Sequence, residues 1–132
     1  MSKVILIAEN GKYVMAKLNN GQLGLYAIGN QQSEAEELEV IISGGWPQTG
    51  SPKIQLKNNS GAYVTLHGDS VVLDATGAVE NRDFEPTWRG VGVVALKGAN
   101  GKYVSRETEG SDQLQANRDA IGPWESFTIK EV

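Results

Sequence analysis

The chain has no cysteine and one histidine, and those two shortages remove most catalytic and metal chemistry at once. Without thiols there is no disulfide framework, no thiolate metal site and no cysteine nucleophile. The lone histidine, His67, sits in LHGDS, and Asp69 and Ser70 lie too close to it along the chain to converge as a triad. No His-x-x-x-His or Asp-x-Asp spacing suggests a metal, so neither a metal nor a cofactor is expected. A glycosidase needs two carboxylates about 5–10 Å apart across a cleft. Nothing in the spacing of the 16 Asp and Glu singles out such a pair, and a non-enzymatic protein is expected.

Long apolar runs are missing too. The first, Val4 to Ala8, is five residues, short of the roughly 7–15 of a secretory signal and far short of the ~20 of a membrane span. A cytoplasmic protein is expected, with signal-independent export left open. Basic clusters are absent: the 12 Lys and Arg are scattered through a chain of net charge −4, the opposite of a nucleic-acid-binding face. The acidic run Glu34, Glu36, Glu37, Glu39 lacks cation-ligand spacing and reads as a solvated edge.

Glycine, by contrast, is plentiful at 16 of 132 residues, which suits one domain of many short strands and tight turns. Three segments repeat: LIAENGKYV (Leu6 to Val14), LKNNSGAYV (Leu56 to Val64) and LKGANGKYV (Leu96 to Val104). Gly11, Gly61 and Gly101 hold one place in each, at intervals of 50 and 40 residues. Asn-Gly between apolar runs predicts type I′ hairpins at Gly11 and Gly101, with Ser60-Gly61 a weaker version. A third strand follows in each copy, read as Leu25-Tyr26-Ala27, Leu73-Asp74-Ala75 and Leu114-Gln115-Ala116. The fourth is read at Leu38 to Ile41, Trp88 to Val91 and Phe127 to Ile129.

On this reading Asn81-Arg82-Asp83 before Trp88 matches Asn117-Arg118-Asp119 before Trp124, and the middle copy carries an insertion of about five residues in its third strand or turn. No helix of any length is expected. The repeats span approximately 3–45, 52–92 and 93–132 within a single domain covering 1–132. Propellers close with typically 4–8 blades, and three would leave exposed edges. Twelve strands in three pseudo-threefold repeats therefore predict an all-β β-trefoil.

The stretch ALKGANGKYVSRE…LQANRDAIGPWESFTI resembles the repeat signature of the fascin-like β-trefoil family: Lys-Tyr-Val at the opening, Ala-Asn-Arg after the third strand, Gly-x-Trp-Glu-x-Phe in the fourth. The third repeat matches throughout, and the first two match in part. The Gln-x-Trp mark of ricin-type trefoil lectins is missing at Trp46, Trp88 and Trp124. The resemblance implies either a carbohydrate-binding module, with one to three shallow sites for a sugar or glycoprotein, or an actin cross-linker of fascin type. A protein-interaction or receptor-binding module is a third reading. Cross-linking by one small domain needs opposite faces or self-association, and actin's own acidity works against an acidic chain.

Trp88 and Trp124 are expected in the core, as are Tyr13, Tyr63 and Tyr103. Candidate ligand contacts are His67 and Asp69, Asn81 and Arg82 of the first polar trio, all of the second (Asn117, Arg118 and Asp119), and Trp46. The trios also suit turn chemistry, with each Arg lying over the barrel. Trp46, in the Gly- and Pro-rich loop SGGWPQTGSP (Ser43 to Pro52), presents either a face for a sugar ring or a partner protein, or a lid on the barrel end.

Overall fold

A computed structural model describes residues 3–19, 21–44, 53–76, 79–106 and 112–132. The first repeat contributes β1 (Lys3–Ile7), β2 (Tyr13–Asn19), β3 (Gln22–Gly29) and β4 (Leu38–Gly44). The second contributes β5 (Lys53–Asn58), β6 (Tyr63–His67), β7 (Ser70–Asp74) and β8 (Glu85–Gly90). The third contributes β9 (Val93–Lys97), β10 (Tyr103–Arg106), β11 (Leu114–Arg118) and β12 (Phe127–Glu131). A 3₁₀ turn precedes the fourth strand each time, at Gln32–Glu34, Val79–Arg82 and Pro123–Glu125, where no helix was expected.

The pairings close two rings. β1, β4, β5, β8, β9 and β12 pair in that order, and β12 returns to β1, making a six-stranded barrel. The β5–β8 link is the bridge Ile54 to Phe84, whose N–H···O bonds are 2.8 and 2.9 Å. The hairpins β2–β3, β6–β7 and β10–β11 meet one another at Gly24–Val72, Ser70–Gln115 and Tyr26–Gln113. First and fourth strands match identically in every repeat: Val4 opposite Leu38, Ile54 opposite Phe84, Val94 opposite Phe127. That threefold register is a β-trefoil.

The core is built from these equivalent positions. Leu6, Leu56 and Leu96 form one set, Val14, Val64 and Val104 another, and Leu38, Phe84 and Phe127 a third, all buried. Burying each such side chain contributes about 1.5–3 kcal/mol. Gln55 is buried as well, against simple alternation, because its amide donates to Asp83 Oδ1 at 2.9 Å.

The register corrects three expectations. Val64 pairs with Leu73 and Leu66 with Val71, as Val104 pairs with Ala116 and Arg106 with Leu114. The middle counterpart of Leu114-Gln115-Ala116 is thus Val71-Val72-Leu73, two residues earlier than the leucine-x-alanine pattern suggested. Eleven residues then separate Leu73 from Phe84, as they separate Ala27 from Leu38 and Ala116 from Phe127, and the expected insertion vanishes. In the middle repeat Phe84, the bridge residue just before β8, takes the place of Leu38 and Phe127, so Trp88 is no counterpart of Trp124. Trp88 lies in β8 and Trp124 in a 3₁₀ turn; both are exposed, at 60% and 43%, and neither holds the core together.

The Asn-Gly turns are also of another type. Gly11, Gly61 and Gly101 each donate to the carbonyl three residues back and take φ of 79°, 90° and 80°, while Asn10 and Asn100 keep negative φ. These are type I turns ending in a left-handed glycine, and Asn10 and Asn100 brace them by accepting the N–H of Lys12 and Lys102.

Candidate functional site

Adjacent repeats meet along grooves in which the first turn of one repeat faces the second and fourth strands of the one before. The groove between the second and third repeats opens into a cavity of about 640 Å³. Its walls are Leu66, Gly68, Glu80, Asn81, Asp83 and Glu85 on one side and Lys97 to Gly101 on the other, with Lys53 at one end. Leu66 reaches under the turn because position 98 is glycine; a Cβ there would stand 2.5 Å from Leu66 Cδ1.

Residue 99 decides what crosses the groove. At the equivalent position of the first groove, Asn59 accepts from Lys3 Nζ at 2.6 Å. Between the third and first repeats, Glu9 takes Arg106, which also holds Asp112 through Nη1 at 2.7 Å. Arg106 occupies the place of Leu66 and is 13% exposed. Burial works against its charge, but the hydrogen bonds to Asp112 and Glu9 outweigh that and raise its pKa. In the open groove the equivalent residue is Ala99, with no polar head to meet Lys53.

The polar groups left in this cavity are varied. Asp83 is oriented by Gln55. Asn100 is committed to the fold: its Nδ2 donates to Ala116 O at 2.9 Å and lies 3.4 Å from Asp69 Oδ1. Glu80, Asn81, Glu85 and Lys53 carry no side-chain hydrogen bond to another described residue and face the cavity. Donors and acceptors stand together around a cavity whose apolar part is Leu66 and Ala99.

The other expected contacts do not converge on one site. Asn81 lines the groove, and Asp69 stands behind its rim through Asn100. Asp69 also accepts Ala116 N–H through its backbone oxygen at 2.7 Å, which ties one hairpin to the next. Arg82 lies 4.2 Å from the centre of the Tyr63 ring and donates to Ala75 O. Tyr63, like Tyr13 and Tyr103, is half-buried beside the core. Asn117 accepts from Ser105 and donates to Gln115, and Arg118 donates to Ser105 Oγ and lies 5.8 Å from the Trp124 ring centre. Asp119 pairs with Lys102 on the surface. Trp46 lies outside the described residues.

His67 lines a separate cavity of about 220 Å³ where the three hairpins meet, with Gln22, Tyr26, Ser70 and Gln113. Its Nε2 is 2.7 Å from Asp74 Oδ2. The Asp74 carboxyl is held below its ordinary pKa by the Thr76 backbone N–H first, then by His67 and the Thr76 hydroxyl.

The fascin-domain family model matches residues 31–129. The chain belongs to the fascin-domain family. No curated protein sequence matches it. Among solved structures, it is similar to the designed threefold-symmetric protein ThreeFoil, with 13% identity, 98% of this chain and 99% of that one covered, and a TM-score of 0.75. SeviL, solved bound to asialo-GM1 saccharide, is 13% identical, with 98% and 96% covered and a TM-score of 0.66. An exo-β-1,3-galactanase from Clostridium thermocellum is 16% identical, with a TM-score of 0.78, but all of this chain covers only 30% of that protein. At these identities the likeness shows the β-trefoil fold. Family and fold together describe a binding module.

Sequence reasoning missed Lys53, Glu80, Glu85, Lys97 and Ala99. The signal was present in the repeats, since Ala99 stands where the other two copies carry Glu9 and Asn59.

Proposed function

We propose that this protein is a non-catalytic carbohydrate-binding module whose site is the groove between the second and third repeats. The observation that carries the reading is the set of uncommitted donors and acceptors around one cavity of sugar size, Asn81, Glu80, Glu85 and Lys53. Neighbouring sugar hydroxyls donate and accept together, and such a mixed lining matches them better than it matches a simple ion. No ring lines the described part of the cavity, so recognition rests on hydrogen bonds, with Leu66 and Ala99 under the sugar's C–H face. The saccharide-bound SeviL structure supports the reading by analogy of fold.

The test is a glycan array of the wild-type chain beside Asn81→Ala and Trp46→Ala. Binding lost in Asn81→Ala and kept in Trp46→Ala supports the groove. Loss in Trp46→Ala alone moves recognition to the 45–52 loop. Family membership favours actin cross-linking as a second reading, and an array without signal together with co-sedimentation with actin filaments would replace the first reading by the second.

A further inference from the structure

A second cavity of different chemistry adjoins the groove, with Ile54 and Pro86 in its lining next in the chain to Lys53 and Glu85. About 440 Å³ opens at the barrel mouth, lined by Val4, Val40, Ile54, Pro86, Trp88, Gly92, Val94, Ile129 and Glu131. The threefold register orders this lining. Val4, Ile54 and Val94 form the floor, and Val40, Pro86 and Ile129, opposite Leu56, Leu96 and Leu6, form the wall. At the rim Trp88 stands opposite Val94 and Glu131 opposite Val4. The indole is 60% exposed, and the fully exposed Val91 marks the tip of the turn beside it.

Glu131 is the one charge among the described lining residues. The cations beside it in the strand pair are engaged elsewhere, Lys3 with Asn59 and Lys130 with Gln32. Glu131 itself makes no ion pair or side-chain hydrogen bond to another described residue. A carboxylate and an aromatic face at the edge of an apolar hole both attract a positive charge that carries an apolar body. Sugar hydroxyls would lose their water there without replacement, and an anion would meet Glu131. Two copies set mouth to mouth would press two carboxylates together in a desolvated interface.

We infer that the barrel mouth is a second binding site, for a small amphipathic amine whose apolar part enters the Val4–Ile54–Val94 floor and whose ammonium rests between Trp88 and Glu131. This site shares no lining residue with the groove, and the inference does not rest on a sugar bound there.

Three eight-carbon probes test it: octylammonium, octanol and octanoate, titrated by calorimetry and followed through the methyl NMR signals of Val4, Ile54, Val94 and Ile129. Octylammonium is expected to bind about fivefold tighter than octanol, with octanoate weakest. Glu131→Gln narrows the gap between amine and octanol and leaves octanol unchanged, and Trp88→Ala weakens the amine. Both substitutions are at exposed positions, so the folded state is retained. Equal affinities, octanoate binding best, or methyl signals that do not move would each overturn the proposal. So would a dimer in sedimentation velocity that Trp88→Ala disperses, since the mouth would then belong to a second copy.

Discussion

The groove between the second and third repeats and its counterpart between the third and first are built from the same strands and turns, yet one is open and the other is bridged. Two substitutions within the repeat make the difference. Where the open groove has Leu66 and Ala99, the bridged one has Arg106 and Glu9, with Asp112 as a third partner. The lesson is that threefold symmetry of the backbone supplies three places for a site, and side chains then close some of them. The candidate site is defined as much by a missing carboxylate as by the groups that remain.

The largest effect belongs to the register that makes the grooves comparable. If Phe84 is the counterpart of Leu38 and Phe127, then Phe84→Ala removes a fully buried ring and costs about 3–5 kcal/mol in denaturant unfolding. Trp88→Ala, at an exposed position, should cost less than about 1 kcal/mol. The reverse order would return Trp88 to the core and break the comparison.

Closing the open groove is the next test. Ala99→Glu sets a carboxylate toward Lys53, as Asn59 faces Lys3 and Glu9 faces Arg106, and should lower glycan binding by more than about tenfold with stability unchanged. Opening the bridged groove is the converse. Arg106→Ala leaves Glu9 and Asp112 unpaired in a partly buried place, and a loss of about 1–2 kcal/mol is expected once solvent screening is allowed for. Denaturant titration measures it, and an unchanged midpoint would mean that the bridge is surface decoration.

The smallest effect is on pH. Asp74 has a lowered pKa in the folded state, so it binds a proton less readily folded than unfolded. Its contribution is present above about pH 4 and is lost as the pH falls through the lowered value. Asp74→Asn should flatten that acid limb by lowering the plateau near neutrality slightly, while stability at the acid end stays as in the wild type.

Much of the fold was legible in the sequence because its signals are local. The glycines at 11, 61 and 101 mark turns that require a left-handed residue, and three copies exclude a propeller. The register of the middle repeat was harder to read, since Leu73-x-Ala75 and the Asn-Arg-Asp trio before Trp88 imitate the third repeat at the wrong spacing. Only the β6–β7 pairing, with its shorter hairpin, removes the ambiguity. The site was less legible still. Its walls come from two repeats, and its defining residue, Ala99, is an alanine whose meaning shows only against Glu9 and Asn59. The trios at Asn81 and Asn117 looked alike in sequence, but one begins in a 3₁₀ turn at the groove and the other ends a strand on the far side of its repeat.

Amide chemical-shift mapping with the strongest glycan from the array tests the central claim most directly. Shifts clustered at Leu66 to Gly68, Glu80, Asn81 and Lys97 to Gly101 are the predicted result. Shifts confined to Arg118 and Trp124, or to the hairpin junction around His67 and Gln113, would contradict it.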